Sequence, residues 1–457
     1  MKPSRTPARE TIAAIATGLG GGIGIVRLSG PRAEPIVAGL VTPWPKSRPP
    51  THKLHFGRVR DPASGEIIDE VLACVMRAPR SYTGEDVAEL HAHGGARMMQ
   101  RLLELVLASG ARLAEPGEFT RRAFEAGRID LTRAEAVAEL IAARTDRALA
   151  AARSVHSGAL EKEVRGLRSE LVRALAELEG ALDFPDEQPD ARPEAESARA
   201  VCALETRFLA LAATYRKFVR DRAEVTLVGR VNAGKSSLFN ALCGEERALV
   251  DVDPGTTRDV LEAEVELGGA WVRLVDTAGE RLDGGGEAGR VEERGVDLGR
   301  RRRGRADAVL LVVDATIGFG EGEQALWQSL QGTPRLLVWN KRDAGGAPAG
   351  LPEGACVVET SALTGEGLAE LRAALPSLLG IEADHEGALE VSARHREALV
   401  TGAQALARAA AILSAGEPSE VAAVELRDAL HHLGRITGET VDAEVLDAIF
   451  ARFCLGK

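Results

Sequence analysis

The spacing of apolar residues changes texture along the chain. From Thr11 to about Gly127, short β-like runs at 23–28 and 71–77 sit between Gly- and Pro-rich punctuation, which predicts a mixed α/β domain. The early run Gly18-Leu-Gly-Gly-Gly-Ile-Gly24 has the wrong spacing for a dinucleotide-binding turn. It also leads into a strand rather than a helix, so we read it as a flexible turn. After Asp130 the period becomes helical. Leu160, Val164, Leu167, Leu171, Leu175, Leu178 and Leu182 recur at steps of four and three and predict one long helix. An acidic, Pro-rich connector at 183–193 breaks it, and a second helical stretch follows from about 194 to 221. Strand–helix alternation over 224–379 predicts a parallel sheet wrapped by helices. Beyond Glu390 the period is helical again, with one stripe at Leu426, Leu430 and Leu433 and another at Val445, Ile449 and Phe453. The simplest architecture is multidomain, α/β and α. An N-terminal α/β domain (1–127) is followed by a helical domain in two parts (128–221 and 380–457), with a second α/β domain (222–379) inserted between them.

Composition narrows the class. The 457 residues carry 57 basic and 68 acidic side chains, a net charge of −11, with 45% hydrophobic and 27% charged residues. That is globular composition with apolar mass for more than one core. The acidic balance argues against non-specific coating of nucleic acid while leaving room for a local basic surface. No apolar run approaches the ~20 residues of a membrane span, and the polar first ten residues lack a secretory pattern, so no membrane partner is expected. The five cysteines contain no CxxC pair, which disfavours a disulfide framework or a zinc cluster and points to a reducing, cytoplasmic compartment.

The chemistry concentrates in 222–379. Gly229-Arg-Val-Asn-Ala-Gly234-Lys235-Ser236 follows a β-like run and opens a helical one, the context a phosphate-binding P-loop requires. Its backbone N–H groups, from Asn232 through Ala233 and Gly234 to Ser237, face the phosphates. Lys235 supplies a cation, and the Ser236 hydroxyl suits Mg²⁺. Three elements follow in order. The loop Asp251-Val252-Asp253-Pro254-Gly255-Thr256-Thr257 brings Thr257 to Mg²⁺ and the γ-phosphate. Asp276-Thr277-Ala278-Gly279 ends a strand with a carboxylate near the metal and a backbone N–H near the γ-phosphate. Asn340-Lys341-Arg-Asp343 ends another strand, where Asp343 can accept two hydrogen bonds from guanine N1–H and its 2-amino group. Adenine lacks that donor pair, so GTP is favoured over ATP. Ser361 and Ala362 fit the last base-contacting loop. Five short motifs in this order, each at a strand end, imply a Ras-like P-loop GTPase domain that cycles between GTP and GDP. Glu280 stands where Ras-type enzymes carry a water-positioning Gln, and repulsion from the γ-phosphate leads us to read it as solvated.

The flanking sequence carries a more specific signal. Gly24-Ile-Val-Arg-Leu-Ser-Gly30, Ser81-Tyr-Thr-Gly-Glu-Asp86, His91-Ala-His-Gly-Gly95, Pro116-Gly-Glu-Phe-Thr-Arg-Arg-Ala-Phe124, Asp130-Leu-Thr-Arg-Ala-Glu-Ala136 and Phe453-Cys-Leu-Gly-Lys457 resemble the MnmE (TrmE) family of tRNA-modification GTPases over essentially the whole length. The resemblance implies an N-terminal domain that binds a tetrahydrofolate derivative (5-formyl or methylene) and pairs two subunits into a homodimer. It implies a FAD-dependent partner, MnmG (GidA), with which the family adds an aminomethyl- or carboxymethylaminomethyl-type group to C5 of wobble uridine in certain tRNAs. Carried over residue by residue, the folate contacts fall on Arg27, Glu85, Arg128 and Lys457; position 128 is usually Lys in the family, so contact geometry can differ here. The resemblance also implies a K⁺ ion in place of an arginine finger, ligated by Asn232 and by the loop carrying Asp251, Asp253 and Thr256. Two readings of those acids stay open, cation binding and loop capping. Glu292 aligns with the family's water-orienting glutamate, with Glu293 one residue away as the competing register. With Lys235, Thr257 and Gly279 it completes the expected catalytic set.

Cys454 has two readings: a thiol near the folate that attacks the uridine ring, and a small buried side chain holding the last helix, which we favour. The run Arg300–Arg303 with Arg305 reads as a solvated helix face rather than a contact with tRNA phosphate or the partner protein. His91 and His93 lack a third ligand at suitable spacing and read as structural or ligand-lining. Two other functions compete with tRNA modification. A ribosome-assembly GTPase would use the flanking domains as RNA adaptors. A folate-dependent one-carbon transferase would use the GTPase only as a regulator.

Overall fold

The computed structural model describes residues 10–143, 145–183, 194–215, 223–244, 261–267, 270–276, 306–381, 389, 391–454 and 456. The chain divides into two compact units. One comprises Met1–Ala138, Val155–Ala210 and Glu397–Lys457, the other Glu139–Ser154 and Leu211–Arg396.

The first unit holds a seven-stranded sheet built from β1 (Ile12–Ile15), β2 (Ile23–Ser29), β3 (Val41–Thr42), β4 (Leu54–Arg60), β5 (Ile67–Met76), β6 (Val87–His93) and β7 (Arg112–Leu113), in the order β3-β4-β5-β6-β2-β1-β7. Alternation along β2, β4 and β6 sends one set of side chains inward, as expected for a sheet covered on one face. That face packs Val26, Leu28, Val71, Ala73, Ala88 and Leu90 against α1 (Ala33–Leu40) and α2 (Ala96–Ala108). The opposite face leaves Leu54, Phe56, Leu72 and Ile23 exposed. A short helix α3 (Glu118–Glu125) leads to α4 (Leu131–Ala142), whose first turn is capped by Asp130: its Oδ1 accepts from the N–H groups of Thr132 and Arg133.

Two helices follow in the chain, α5 (Asp146–His156) and α6 (Ala159–Asp183), then α7 (Glu194–Ala212). The predicted stripe lies on α6, with Leu160, Val164, Leu167 and Leu171 fully buried. The helix predicted over 194–221 ends at Ala212, and 216–222 lie outside the described residues.

The second unit contains a six-stranded sheet, β8 (Ala223–Val228), β9 (Leu261–Leu267), β10 (Ala270–Asp276), β11 (Ala308–Asp314), β12 (Arg335–Asn340) and β13 (Val357–Glu359), in the order β13-β12-β11-β8-β10-β9. All neighbours are parallel except β9 with β10. The central strand β11 is buried along its whole length because both faces are covered. Leu310 and Val312 join the core that includes Leu238 of α8 (Lys235–Cys243) and Leu371 of α10 (Leu368–Leu378). Val309, Leu311 and Val313 join the core beneath α9 (Glu321–Ser329).

The chain continues with α11 (Ala393–Ser414), α12 (Ser419–Thr437) and α13 (Ala443–Phe450). Leu426 and Leu433 are buried on α12 as their stripe predicts. The last stripe differs: α13 stops at Phe450, and Phe453 is buried from the turn beyond it, its ring 5.6 Å from that of Phe450. No helix among the described residues is long and apolar enough to cross a membrane.

Candidate functional site

In the second unit, the polar residues singled out by sequence collect at the carboxyl ends of parallel strands. β8 delivers the chain into the loop at Gly229, whose φ is +147° and where a Cβ would lie 2.3 Å from the Val312 carbonyl oxygen. Only glycine lets the loop pass that close to β11. Gly234 (φ +90°) starts α8, and a Cβ there would meet the Asn340 amide at 2.2 Å. Lys235 is buried and donates through Nζ to the carbonyls of Gly229 (3.1 Å) and Arg230 (2.8 Å), so its ammonium is held inside the curl of the loop. Ser236 Oγ donates to Asp276 Oδ2 at 2.6 Å. Burial pushes the Asp276 carboxyl above its usual range, although that hydrogen bond and the Lys235 charge oppose the shift. Its other oxygen, Oδ1, is buried with no hydrogen-bond partner among the described residues. A hydroxyl beside a buried carboxylate with one unpartnered oxygen is a hard-oxygen set that fits Mg²⁺.

Asn340, almost fully buried, ties three segments together. Its Nδ2 donates to the Ala233 carbonyl (3.0 Å), and its Oδ1 accepts from the Thr360 hydroxyl (3.3 Å) and the Ala362 N–H (3.1 Å). Lys341 reaches across to the Asn232 carbonyl at 2.7 Å and to Asp314 Oδ2 at 2.6 Å. Burial opposes ionisation of Asp314, but hydrogen bonds from Lys341 and Thr316 outweigh it and hold this carboxyl below its usual range. Asp343 is exposed, and its Oδ1 accepts from the buried Ser361 hydroxyl at 2.5 Å, which fixes the carboxylate plane.

The first unit gathers a second polar cluster beside β2. Residues 27 and 29 share one face of that strand. Arg27 Nε donates to Glu89 Oε1 (2.8 Å), and its guanidinium carbon lies 5.9 Å from the ring centroids of both Tyr82 and Phe119. Glu85 Oε2 accepts from Ser29 Oγ (2.9 Å) and Arg122 Nη1 (2.9 Å). Burial would raise the Glu118 carboxyl, yet hydrogen bonds from Arg112, the Glu115 N–H and Arg122 bring it down to about 2. Gly84 sits against the stem of Arg128, where an added Cβ would lie 3.2 Å from its Cγ. The loop that presents Glu85 therefore packs on Arg128.

Comparison with known proteins bears on both clusters. A family model described as "GTP-binding protein TrmE N-terminus" matches residues 11–128, and one described as "MnmE helical domain" matches 131–454. The tRNA modification GTPase MnmE of Symbiobacterium thermophilum is 46% identical over 462 residues, covering 98% of this chain and 99% of its own. The protein of the same name from Synechococcus sp. (strain JA-2-3B'a(2-13)) is 44% identical, covering 99% of each chain. The chain belongs to the MnmE family of tRNA modification GTPases. Among solved structures, the G domain of the T. maritima FeoB iron transporter is 27% identical over 35% of this chain and 99% of its own, at a TM-score of 0.28; the assignment does not rest on it.

For this MnmE-family chain, the structure brings Asn232, Ala233, Gly234, Lys235, Ser236, Asp276, Asn340, Lys341, Asp343, Ser361 and Ala362 around one group of strand ends. Ser237 follows on α8. Residues 251–257, 277–280, 292–293, 300–305 and Lys457 lie outside the described residues. Cys454 is exposed, which corrects the expectation of a buried side chain: Phe453 takes the buried position instead, while a Cβ added at Gly456 would clash with the Ile15 carbonyl oxygen. His91 and His93 each face a carboxylate, Glu89 at 3.0 Å and Asp69 at 2.8 Å. No group of three or more His, Cys, Asp or Glu able to hold a metal occurs among the described residues. Sequence reasoning assigned no role to Ser29, Tyr82 or Arg122. Ser29 carried a usable signal, lying two residues from Arg27 on a predicted strand. Arg122 carried only its four-residue spacing from Glu118, because its link to Glu85 spans 37 residues.

Proposed function

We propose that this GTPase couples its nucleotide cycle to one-carbon chemistry at C5 of the wobble uridine. The observation that carries the nucleotide half is the clamp made by Asn340, which fixes the phosphate loop at Ala233 to the base-contacting loop at Ala362, beside an Asp343 carboxylate oriented by Ser361. That arrangement suits guanine, whose paired donors match one carboxylate. In this reading Lys235 offsets charge on the β- and γ-phosphates, Ser236, Thr257 and Asp276 hold Mg²⁺, and Gly279 donates its N–H to the γ-phosphate. Bound Mg²⁺ supplies positive charge to the phosphates. Asn232 has an exposed side chain with no partner among the described residues, which suits a K⁺ ligand together with Asp251, Asp253 and Thr256. Glu292 orients the attacking water.

The folate half rests on Arg27, Glu85, Arg128 and Lys457. Glu85 is anchored from below by Ser29 and Arg122, which leaves a carboxylate of fixed orientation suited to the paired N–H donors of a pterin edge. A bound formyl- or methylene-tetrahydrofolate supplies the one-carbon unit. The exposed Cys454 thiol is accessible for attack on the uridine ring. We read the domains as 1–127 for folate and dimerisation, 128–221 with 380–457 as the helical body, and 222–379 as the G domain. The working assembly is a cytoplasmic homodimer acting with FAD-dependent MnmG.

Mass spectrometry of wobble nucleosides tests this reading in cells lacking the protein. Loss of the C5 aminomethyl-type modification, restored by the intact chain and not by Glu292→Ala, is the expected result. Unchanged nucleosides would sever the GTPase from tRNA modification.

A further inference from the structure

A cavity of about 400 Å³ in the first unit lies between the end of α3, the start of α4, one face of α6 and the C-terminal end of α12. That volume is in the range of ligand sites and far exceeds what one carboxylate or water cluster requires. Four guanidinium groups line it: Arg128, Arg133, Arg165 and Arg168. Three carboxylates are interleaved with them. Arg133 lies 3.7 Å from Asp130 and 3.6 Å from Glu161, Arg165 pairs with Glu161, and Arg168 lies 3.2 Å from Glu439. Arg133 is also fixed to the Ser157 carbonyl at 3.3 Å, so it forms part of the frame. Arg165 and Arg168 differ: their side chains are 73% and 45% exposed, and each uses one carboxylate partner out of five N–H donors. Exposed pairs of this kind are worth ~0–1 kcal/mol, so an arriving anion can exchange with or add to them.

The fourth guanidinium gives the cavity a direction. Arg128 is exposed, its guanidinium has no ion-pair or hydrogen-bond partner among the described residues, and its stem packs on Gly84, next to Glu85. Arg128 therefore belongs both to the cavity wall and to the contact behind the loop that carries Glu85. Beyond it, Arg165 and Arg168 stand one helical turn apart on α6, about 5–6 Å between Cβ atoms. We propose that the cavity receives the γ-linked oligoglutamyl tail of the folate, with Arg128 meeting its first carboxylates and Arg165 and Arg168 the later ones. This inference rests on the folate reading above. An oligoglutamate is favoured over RNA phosphate because Arg128, which lines the cavity, also packs on Gly84 in the loop that carries Glu85.

The test compares monoglutamyl and pentaglutamyl 5-formyl-tetrahydrofolate binding to the full chain by calorimetry, in the native protein and in the double variant Arg165→Ala/Arg168→Ala. Both replaced side chains are exposed on a helix, where alanine is well tolerated. The native protein is expected to bind the pentaglutamate roughly 10-fold more tightly, with the gain shrinking at high salt. The double variant is expected to keep monoglutamate affinity and GTP turnover and to lose that gain. Equal affinity for both folates in the native protein overturns the proposal, as does a gain that survives in the double variant. A variant whose tRNA affinity falls while the glutamate gain persists would reassign the cavity to RNA phosphate. Binding of neither folate would instead remove the folate reading itself, and the proposal with it.

Discussion

Glu118 shows how a single ionised side chain can hold a surface together. It lies almost buried in the first turn of α3, where it accepts from Arg112 through both oxygens (2.8 and 2.6 Å), from the Glu115 N–H (2.9 Å) and from Arg122 (2.8 Å). Arg122 in turn holds Glu85. The Glu118 carboxyl titrates at about 2 in the fold against 4.5 when free. A depressed folded value stabilises the native state above the free value, and that stability is lost as pH falls between the two. After allowance for solvent screening it amounts to on the order of 1–2 kcal/mol. Chemical denaturation of the native chain and Glu118→Gln checks this. The native chain should be the more stable at neutral pH, and the gap should close as pH falls from about 4.5 toward 2. A gap that is constant with pH would mean the carboxylate's charge is not what the arginines require. Asp343 makes the converse use of a carboxylate: it is exposed, and it accepts one hydrogen bond from the buried Ser361 hydroxyl.

Helix α6 shows both the reach and the limit of periodicity. Its stripe predicts one apolar face, and Leu160, Val164, Leu167 and Leu171 are fully buried on it, whereas Leu175 and Leu178 are only partly so. Leu167→Ala should therefore cost about 2–5 kcal/mol, and Leu178→Ala markedly less, as read from urea midpoints of the two variants. Equal losses would mean the far end of the stripe is covered as fully as the near end. The strand run before Gly229 and the glycines beyond it were legible because local sterics dictate them: a mostly apolar strand, a turn of positive φ, then a helix. Pairings over long sequence separations were not. Two-residue strands such as β7, which pairs with β1 in parallel, leave no periodic trace. Helix α3 carries four charged residues in eight, yet Glu118 and Arg122 are buried on it because each helps to satisfy the other. In the same way the spacing marked Asn340 as a base-loop residue. Its grip on Ala233 joins positions more than a hundred residues apart, and no local pattern encodes that.

The two units divide the chemistry of an MnmE-family enzyme between nucleotide hydrolysis and whatever the first unit binds, and the outer face of the first unit's sheet bears on how copies of the chain assemble. Register sets Phe56 opposite Leu72, Leu72 opposite His91 and His91 opposite Ile25, so these side chains form one row across β4, β5, β6 and β2. The neighbouring row runs through Leu54, Cys74, Glu89 and Arg27. Phe56 is 60% exposed and Leu54 54%, an apolar surface on a sheet whose other face is already covered by helices. Exposed apolar side chains of this kind suit an association site, and the proposed homodimer would supply a second copy to cover them. Arg27 and the row carrying Phe56 share this face, so pairing would also bring the partner close to the folate contacts. Phe56→Asp places a charge at the β4 end of that row, at a position where the isolated fold tolerates it, since the side chain already meets solvent. Sedimentation equilibrium should show the dimer dissociating roughly 100-fold or more readily, because an unpaired carboxylate is costly to bury between subunits. The melting temperature of the dissociated chain should hold, since no core contact is removed. Folate affinity should fall with dimerisation if the partner helps to close the site, and GTP affinity should not, because every residue assigned to the nucleotide lies in the second unit. A variant that remains dimeric with unchanged affinity would move the subunit contact to another face.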